Sequence, residues 1–255
     1  MFLDVRALAK RFSGLAAVSD VSFGVERGEI LGIIGPNGSG KTTLLSMMAG
    51  LLPPTSGEVR WKGQAIHTLR PDVIAARGIV KTFQAPQVFA ELSAFDNVLV
   101  AGHLARKREL GWRRALEIVG AVRATGRRLA DRVREVLGLC NLTPALGHLA
   151  GNLSYGEEKM LGIAMALMCE PELLLLDEPA SGLGREEVRN LTRVLDKVHA
   201  GGTTLCIVDH KIGFLRGLAG RVIALNHGEK IAEGTPDAVL EDPKVVEAYL
   251  GRAGA

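Results

Sequence analysis

The apolar positions of the chain follow three patterns. Short continuous apolar runs occur at Ile30-Leu31-Gly32-Ile33-Ile34, at Leu173 to Leu176 and at Thr203 to Val208, with a shorter one at Gly78-Ile79-Val80-Lys81-Thr82-Phe83. Runs of this length, bounded by glycine, proline or charge, predict buried strands. Helical spacing appears in Leu44, Leu45, Met47 and Met48, and again in Val188, Leu191, Val194, Leu195 and Val198; Glu158 to Met168 is apolar on nearly every side, as in a buried helix. The third pattern is alternation. Phe2 to Leu8 alternates in part and Val18 to Val25 imperfectly, so residues 2–34 read as β-rich. A hairpin is expected around Glu58-Val59-Arg60-Trp61 with its turn at Lys62-Gly63, and another where Arg221 to Leu225 and Lys230 to Ala232 flank Asn226-His227-Gly228-Glu229. Thr235-Pro236 starts a closing helix, with proline at its first position.

Residues 96–150 differ in character. They are helical in composition and basic, with Arg106, Lys107, Arg108, Arg113, Arg114, Arg123, Arg127, Arg128, Arg132 and Arg134 facing Glu109, Glu117 and Asp131. This predicts an inserted α-helical lobe with solvated basic faces, or a face near anionic lipid. No nucleic-acid-binding motif accompanies the arginines. The net charge of +3 adds little to that possibility, so no nucleic acid is expected as a partner.

Composition narrows the setting. With 255 residues, 47% hydrophobic and 23% charged, the chain has the make-up of an ordinary globular protein with a substantial core. No apolar run approaches the roughly 20 residues of a membrane span, and Asp4 and Arg6 interrupt any signal peptide, so a cytosolic protein is expected. Cys140, Cys169 and Cys206 are widely spaced and form no zinc pattern, which fits a reducing compartment.

The chemistry centres on Gly35-Pro36-Asn37-Gly38-Ser39-Gly40-Lys41-Thr42-Thr43, which fits G-x-x-x-x-G-K-[ST] between a buried strand and a helix. There the backbone N–H groups and the helix N-terminus converge on phosphate. Lys41 would reach the β- and γ-phosphates and the Thr42 hydroxyl would hold Mg²⁺. Asp177 and Glu178 follow four leucines at a strand end; Asp177 suits a Mg²⁺ contact, and Glu178 can orient and deprotonate a water. Ser154 and Glu157 fit the S-x-x-E capping box, and this helix start is a second potential anion site. Position alone favours a core role for Phe12, with stacking on a base as the alternative. Gln84, just before Pro86, reads alone as a solvated loop residue.

These residues in this order resemble the ATP-binding cassette (ABC) ATPases over essentially the whole chain, and within them most resemble the ATPase subunits of branched-chain amino acid importers. The subfamily pointers are Thr82-Phe83-Gln84, the basic helical insert, Leu153-Ser154-Tyr155-Gly156, and the ending Ile231 to Pro236 and Glu247 to Gly251. ATPases of urea or short-amide importers are near-identical in these features. The resemblance implies an α/β P-loop NTPase fold: an N-terminal antiparallel β subdomain and a RecA-like, mostly parallel core in 1–95 and 171–235, a helical subdomain in 96–170, and a C-terminal helix in 236–255. It implies ATP and Mg²⁺ as cofactors, with Phe12 stacking on adenine, Gln84 contacting Mg²⁺ or the attacking water, Glu178 as catalytic base and His210 contacting the γ-phosphate. Ser154, Tyr155 and Gly156 look like the signature that closes over ATP held by a second ATPase subunit, either a second copy or a related chain. Integral membrane permease subunits are the expected partners, with a solute-binding protein acting indirectly and the chain at the cytoplasmic face of the membrane. Three positions depart from the family pattern: Tyr155 where glycine is usual, Glu157 where glutamine is usual, and Gly184 where aspartate closes the loop after the two carboxylates.

Overall fold

The apolar runs become strands. In the computed structural model, which describes residues 1–106 and 122–250, the elements in chain order are β1 (Leu3–Phe12), β2 (Leu15–Val25), β3 (Ile30–Ile34), α1 (Lys41–Met48), β4 (Ser56–Trp61), β5 (Gln64–Ala65), α2 (Pro71–Ala76), β6 (Ile79–Lys81), α3 (Ala94–Arg106) and α4 (Val122–Leu139). They continue as α5 (Tyr155–Leu167), β7 (Leu173–Asp177), α6 (Arg185–Ala200), β8 (Thr204–Val208), α7 (Ile212–Arg216), β9 (Arg221–Asn226), β10 (Glu229–Gly234), α8 (Pro236–Glu241) and α9 (Pro243–Leu250). Lys107, Arg108, Glu109, Arg113, Arg114, Glu117 and Gly251 lie outside the described residues. Two compact units emerge, one from Met1–Gln84, Glu172–Ser181 and Val198–Ala255, the other from Ala85–Pro171 and Gly182–Lys197. The expected lobe at 96–170 falls inside the second unit, which also takes in 85–95 and 182–197.

The first unit holds two sheets. An antiparallel sheet runs β2-β1-β4-β5, and a mixed sheet runs β10-β9-β3-β8-β7-β6. In the mixed sheet β3, β6, β7, β8 and β9 are parallel, and only the β9–β10 hairpin at its edge is antiparallel. Strands β3, β7 and β8 are buried at every residue, which is why their sequences run continuously apolar instead of alternating. The predicted hairpin turns take the conformation their residues favour: Lys62-Gly63 and His227-Gly228 all have positive φ, as a two-residue turn matching strand twist requires. One apolar core joins Leu3, Val5 and Leu8 of β1 and Val59 and Trp61 of β4 to Leu44, Leu45, Met47 and Met48 of α1. The same core includes Leu31, Leu175, Cys206 and Ile223 of the mixed sheet.

In the second unit, α4 buries Leu129, Val133, Val136 and Leu137, one face at helical spacing, while Arg127, Arg128 and Arg134 stay exposed. Arg134 pairs with Asp131 and Arg132 with Glu135, so these two arginines belong to a salt-laced helix face. The fully buried Asn97 of α3 accepts from the Phe89 N–H and donates to the carbonyls of Phe89, Leu92 and Ser93, fixing the segment that leads into the helix.

Two elements differ from expectation. The six-residue helix α2 has too little apolar periodicity to announce itself, although Pro71 marks its first position. The closing helix is two helices: Asp242 is extended (φ −64°, ψ 125°) because the following Pro243 disfavours the α conformation. Asp242 then restarts α9, its carboxylate accepting from the Lys244 N–H at 2.8 Å.

Because Leu175 is fully buried in the middle of the core strand β7, Leu175→Ala should cost about 2–5 kcal/mol, read as a lowered urea midpoint. Cys206, fully buried and with its thiol pushed up to about 12 by desolvation, should resist iodoacetamide at pH 8.5 until the chain is unfolded.

Candidate nucleotide-binding site

The register of the mixed sheet aligns the functional strand ends. Ile33 of β3 pairs with Val208 of β8, which pairs with Asp177 of β7, so these strands end at one level. The phosphate loop leaves β3 there, Glu178 follows β7, Asp209-His210 follows β8, and Thr82-Phe83-Gln84 follows β6. This is the carboxyl edge, where parallel α/β sheets bind ligands.

The loop is shaped by glycines that nothing else can replace. Gly35 (φ 152°) and Gly40 (φ 99°) lie in the left-handed region, and a Cβ on either would sit 2.3 Å from a carbonyl oxygen, that of Leu225 or of Ala17. Gly40 caps α1 without a side-chain hydrogen bond, so the amides of the first turn remain donors for an anion. The Lys41 Nζ donates to the carbonyls of Gly35 and Pro36, both at 2.8 Å. Burial pulls its pKa below the ordinary 10.5, against the opposing pull of Glu178, Asp177 and Asp209.

Asp177 is buried and doubly held. Its Oδ1 accepts from the Thr42 hydroxyl at 3.1 Å, and its Oδ2 pairs with the Lys81 Nζ at 2.8 Å. The Thr42 hydroxyl and the Asp177 carboxylate therefore converge as two hard oxygen donors. That set fits Mg²⁺, which keeps waters and substrate phosphates and takes only one or two protein carboxylates. Among the described residues no cluster of three or more His, Cys, Asp or Glu is placed to hold a metal by itself.

Glu178 gathers the remaining polar residues. Its Oε2 accepts from Gln84 Nε2 at 2.9 Å and lies 3.7 Å from His210 Nδ1. Its φ of 48° is in the left-handed region, a strain of about 1–3 kcal/mol of the sort kept at functional sites. Asp209, fully buried, accepts from the backbone N–H groups of Ala180 (2.9 Å) and Lys211 (2.8 Å), fixing the chain on both sides. A cleft of about 690 Å³ is lined by Ala17, Gly35 to Gly38, Gly40, Lys41, Thr42, Thr43, Gln84, Glu178, Ser181, His210 and Tyr249, a volume suited to a small-molecule ligand. Ser39 is buried beneath it, with its N–H donating to the Pro36 carbonyl.

Ser154, Tyr155 and Gly156 lie in the second unit. The expected capping box is formed: Ser154 Oγ accepts from the Glu157 N–H, and Glu157 Oε2 accepts from both the N–H and the hydroxyl of Ser154 at 2.8 Å. The backbone bond from Ser154, then its hydroxyl, holds the Glu157 carboxyl below its ordinary pKa of 4.5. Glu187 accepts from the Gly184 N–H at 2.7 Å, and a Cβ on Gly156 would lie 2.2 Å from its Oε1. A Cβ on Gly182 would lie 2.6 Å from the Tyr155 ring.

The structure thus brings Gln84, Glu178 and His210 to the phosphate loop; Gln84 is exposed in the loop after β6, as its position suggests, and from there makes a specific hydrogen bond to Glu178. Phe12 corrects the core expectation. It ends β1 at the Ser13-Gly14 turn, 44% exposed and outside the cleft lining, because the hairpin finishes there; the Lys10 ammonium lies 5.3 Å from its ring centroid. Lys81, Asp209 and Tyr249 were not anticipated as site residues. A lone charge in an apolar strand was a signal for Lys81, and an acid after a buried strand was one for Asp209. Tyr249 carried no local signal.

A glycine loop between strand and helix, with lysine, threonine and a strand-end aspartate at one sheet edge, defines a P-loop nucleoside triphosphatase. The sequence model described as ABC transporter matches residues 18–181, and that described as branched-chain amino acid ATP-binding cassette transporter matches residues 229–255. The chain is 35% identical to the high-affinity branched-chain amino acid transport ATP-binding protein BraF of Pseudomonas aeruginosa, over 98% of both chains. It is also 35% identical to the corresponding protein LivG of Escherichia coli K12, again over 98% of both. A nucleotide-free ATP-binding cassette from an ABC transporter superposes with a TM-score of 0.84 at 29% identity, covering 98% of this chain and 99% of that one. A dimeric cassette in a post-hydrolysis state, bound to ADP and Pi, gives 0.77 at 26% identity, covering 92% and 98%. The chain belongs to the ABC transporter family and is an ATPase cassette.

Lys81→Met would leave Asp177 a buried carboxylate without its cation and should destabilise the protein by about 3–5 kcal/mol in urea unfolding. Adding Asp177→Asn should recover part of that loss, which a double-mutant cycle reads directly.

Proposed function

We propose that this cassette powers an importer of branched-chain amino acids from the cytoplasmic face of the membrane. Two copies, or this chain and a related one, work against integral permease subunits, and a solute-binding protein acts indirectly. The observation that carries the solute class is the agreement between the C-terminal match at 229–255 and the names of the relatives aligned over nearly the full chain. The chemistry follows from the site. The amides of the loop from Gly35 to Gly40 and of Lys41, Thr42 and Thr43 bind the phosphates, the Lys41 ammonium reaches the β- and γ-groups, and Phe12 stacks on adenine. Thr42, Asp177 and Gln84 hold Mg²⁺, which neutralises phosphate charge when bound. Glu178 takes a proton from water as its oxygen bonds to the γ-phosphorus and the bond to the β–γ bridging oxygen breaks, yielding ADP and phosphate. Gln84 orients that water and His210 contacts the γ-phosphate.

Ser154, Tyr155 and Gly156 of each subunit close over the nucleotide held by the other, so two ATP molecules lie in a head-to-tail dimer. ATP drives closure only by its greater affinity for the closed state. Support for the dimer comes from the cassette of similar fold that is dimeric with ADP and Pi.

Light scattering on Glu178→Gln should show a monomer that becomes a stable dimer with Mg-ATP, with hydrolysis reduced at least about a hundredfold. Hydrolysis at the wild-type rate would sink the base assignment. Cells lacking this chain should lose uptake of labelled leucine, regained with the wild-type protein and not with Glu178→Gln. Undiminished leucine uptake without the chain would overturn the solute assignment.

A further inference from the structure

The Gly35 N–H is a buried donor just beyond the end of a ladder. The β3–β9 pairing stops at Ile34 opposite Ala224, so the next amide has no strand partner in that register. Its acceptor comes from the far end of the chain: the Tyr249 hydroxyl on α9 takes the Gly35 hydrogen bond at 2.8 Å. The Gly35 carbonyl meanwhile accepts from Lys41. Both polar groups of the first loop residue are therefore held by side chains, one from the loop's own lysine and one from the C-terminal helix. The Leu225 carbonyl packs closely against the same residue: a Cβ on Gly35 would sit 2.3 Å from its oxygen.

Helix α9 is built to deliver that hydroxyl. Asp242 starts it, with its carboxylate on the Lys244 N–H and its carbonyl on the Val245 and Val246 N–H groups. Val245, almost fully buried, fixes it, and Tyr249 stands four residues on, on the same face. Tyr249 also lines the cleft beside Lys41 and Thr42.

We propose that Tyr249 is a positioning residue of the nucleotide site: through its hydroxyl, α9 fastens the entry to the phosphate loop, so nucleotide affinity depends on the docking of the C-terminal helix. The proposal rests on the nucleotide-site assignment above. Burial raises the pKa of Tyr249, so the phenol stays neutral. Having accepted from Gly35, it keeps its own proton as a donor toward the cleft.

The test uses the full chain and a fluorescent ADP, mant-ADP, titrated at equilibrium, with Tyr249→Phe preserving the ring and removing only the hydroxyl. Dissociation constants should rise about three- to tenfold, the range of one net hydrogen bond. In ATP hydrolysis the effect should fall mainly on KM, and kcat should change less. Val245→Ala, which loosens α9 without touching the hydroxyl, should weaken binding in the same direction. A purely structural hydroxyl would lower the melting temperature and leave the dissociation constant alone. Tyr249→Phe binding within about 1.5-fold of wild type would therefore overturn the proposal, whatever its melting temperature. Binding by the wild type that Lys41→Ala abolishes establishes the nucleotide site independently, so such a result counts against the hydroxyl alone.

Discussion

The amides at the start of α1 constrain everything around them. A helix N-terminus presents donors that its own turns cannot satisfy, and in a structural helix a side chain caps them. Helix α1 begins instead at Gly40 in a left-handed conformation with no side-chain cap. Leaving those donors open to an anion requires the preceding loop to be held by other means. The means are distributed: Lys41 binds two loop carbonyls, Ser39 turns back on Pro36, the Gly228 N–H binds the Ser39 carbonyl, and Tyr249 takes the Gly35 N–H. The loop keeps its donors free because its other polar groups are occupied by the Lys41 side chain, by the loop itself and by distant residues.

Charge in the same region is balanced with similar economy. Asp177 and Asp209 are almost fully buried, which is tolerable only with partners. Asp209 uses backbone donors and so organises chain. Asp177 uses Lys81 and Thr42, which keeps one oxygen beside the hydroxyl of the phosphate loop. A carboxylate tied wholly to backbone would have no role toward a cation. One tied to a single lysine and a hydroxyl can redirect an oxygen when a cation arrives with phosphate.

How much of this was legible in the sequence follows from the range of each interaction. The phosphate loop, the capping box, the hairpin turns and the paired acids depend on neighbours within a few residues, and their spacing announced them. The strands were legible because burial on both faces leaves a continuous apolar run. Phe12 failed as a core residue because its fate depends on where a hairpin ends, which alternation does not reveal. The split of the closing helix was written in Asp242-Pro243, yet amphipathic character on both sides masked it. Tyr249 was out of reach: its partner is 214 residues away, and nothing in Glu247-Ala248-Tyr249-Leu250 distinguishes a ring that fastens a loop from one that packs a helix.

The helix end carrying Ser154 shows the opposite solution to that of α1. Here the open donors are satisfied at home, since Ser154 caps the Glu157 amide and the Glu157 carboxylate takes both the N–H and the hydroxyl of Ser154. On the proposed dimer, a phosphate approaching this end competes with Glu157 for the serine proton and meets its charge. The carboxylate has to swing away or the phosphate has to be bound mainly by backbone amides. A glutamine at 157 would offer the same cap without the charge. Gly184 has no side chain to offer across a dimer, and its N–H is held within its own loop by Glu187. Glu157 and Gly184, two of the three departures from the family pattern, thus stand on the signature side of the proposed sandwich, while the phosphate loop, Asp177 and Glu178 keep their full complement of groups.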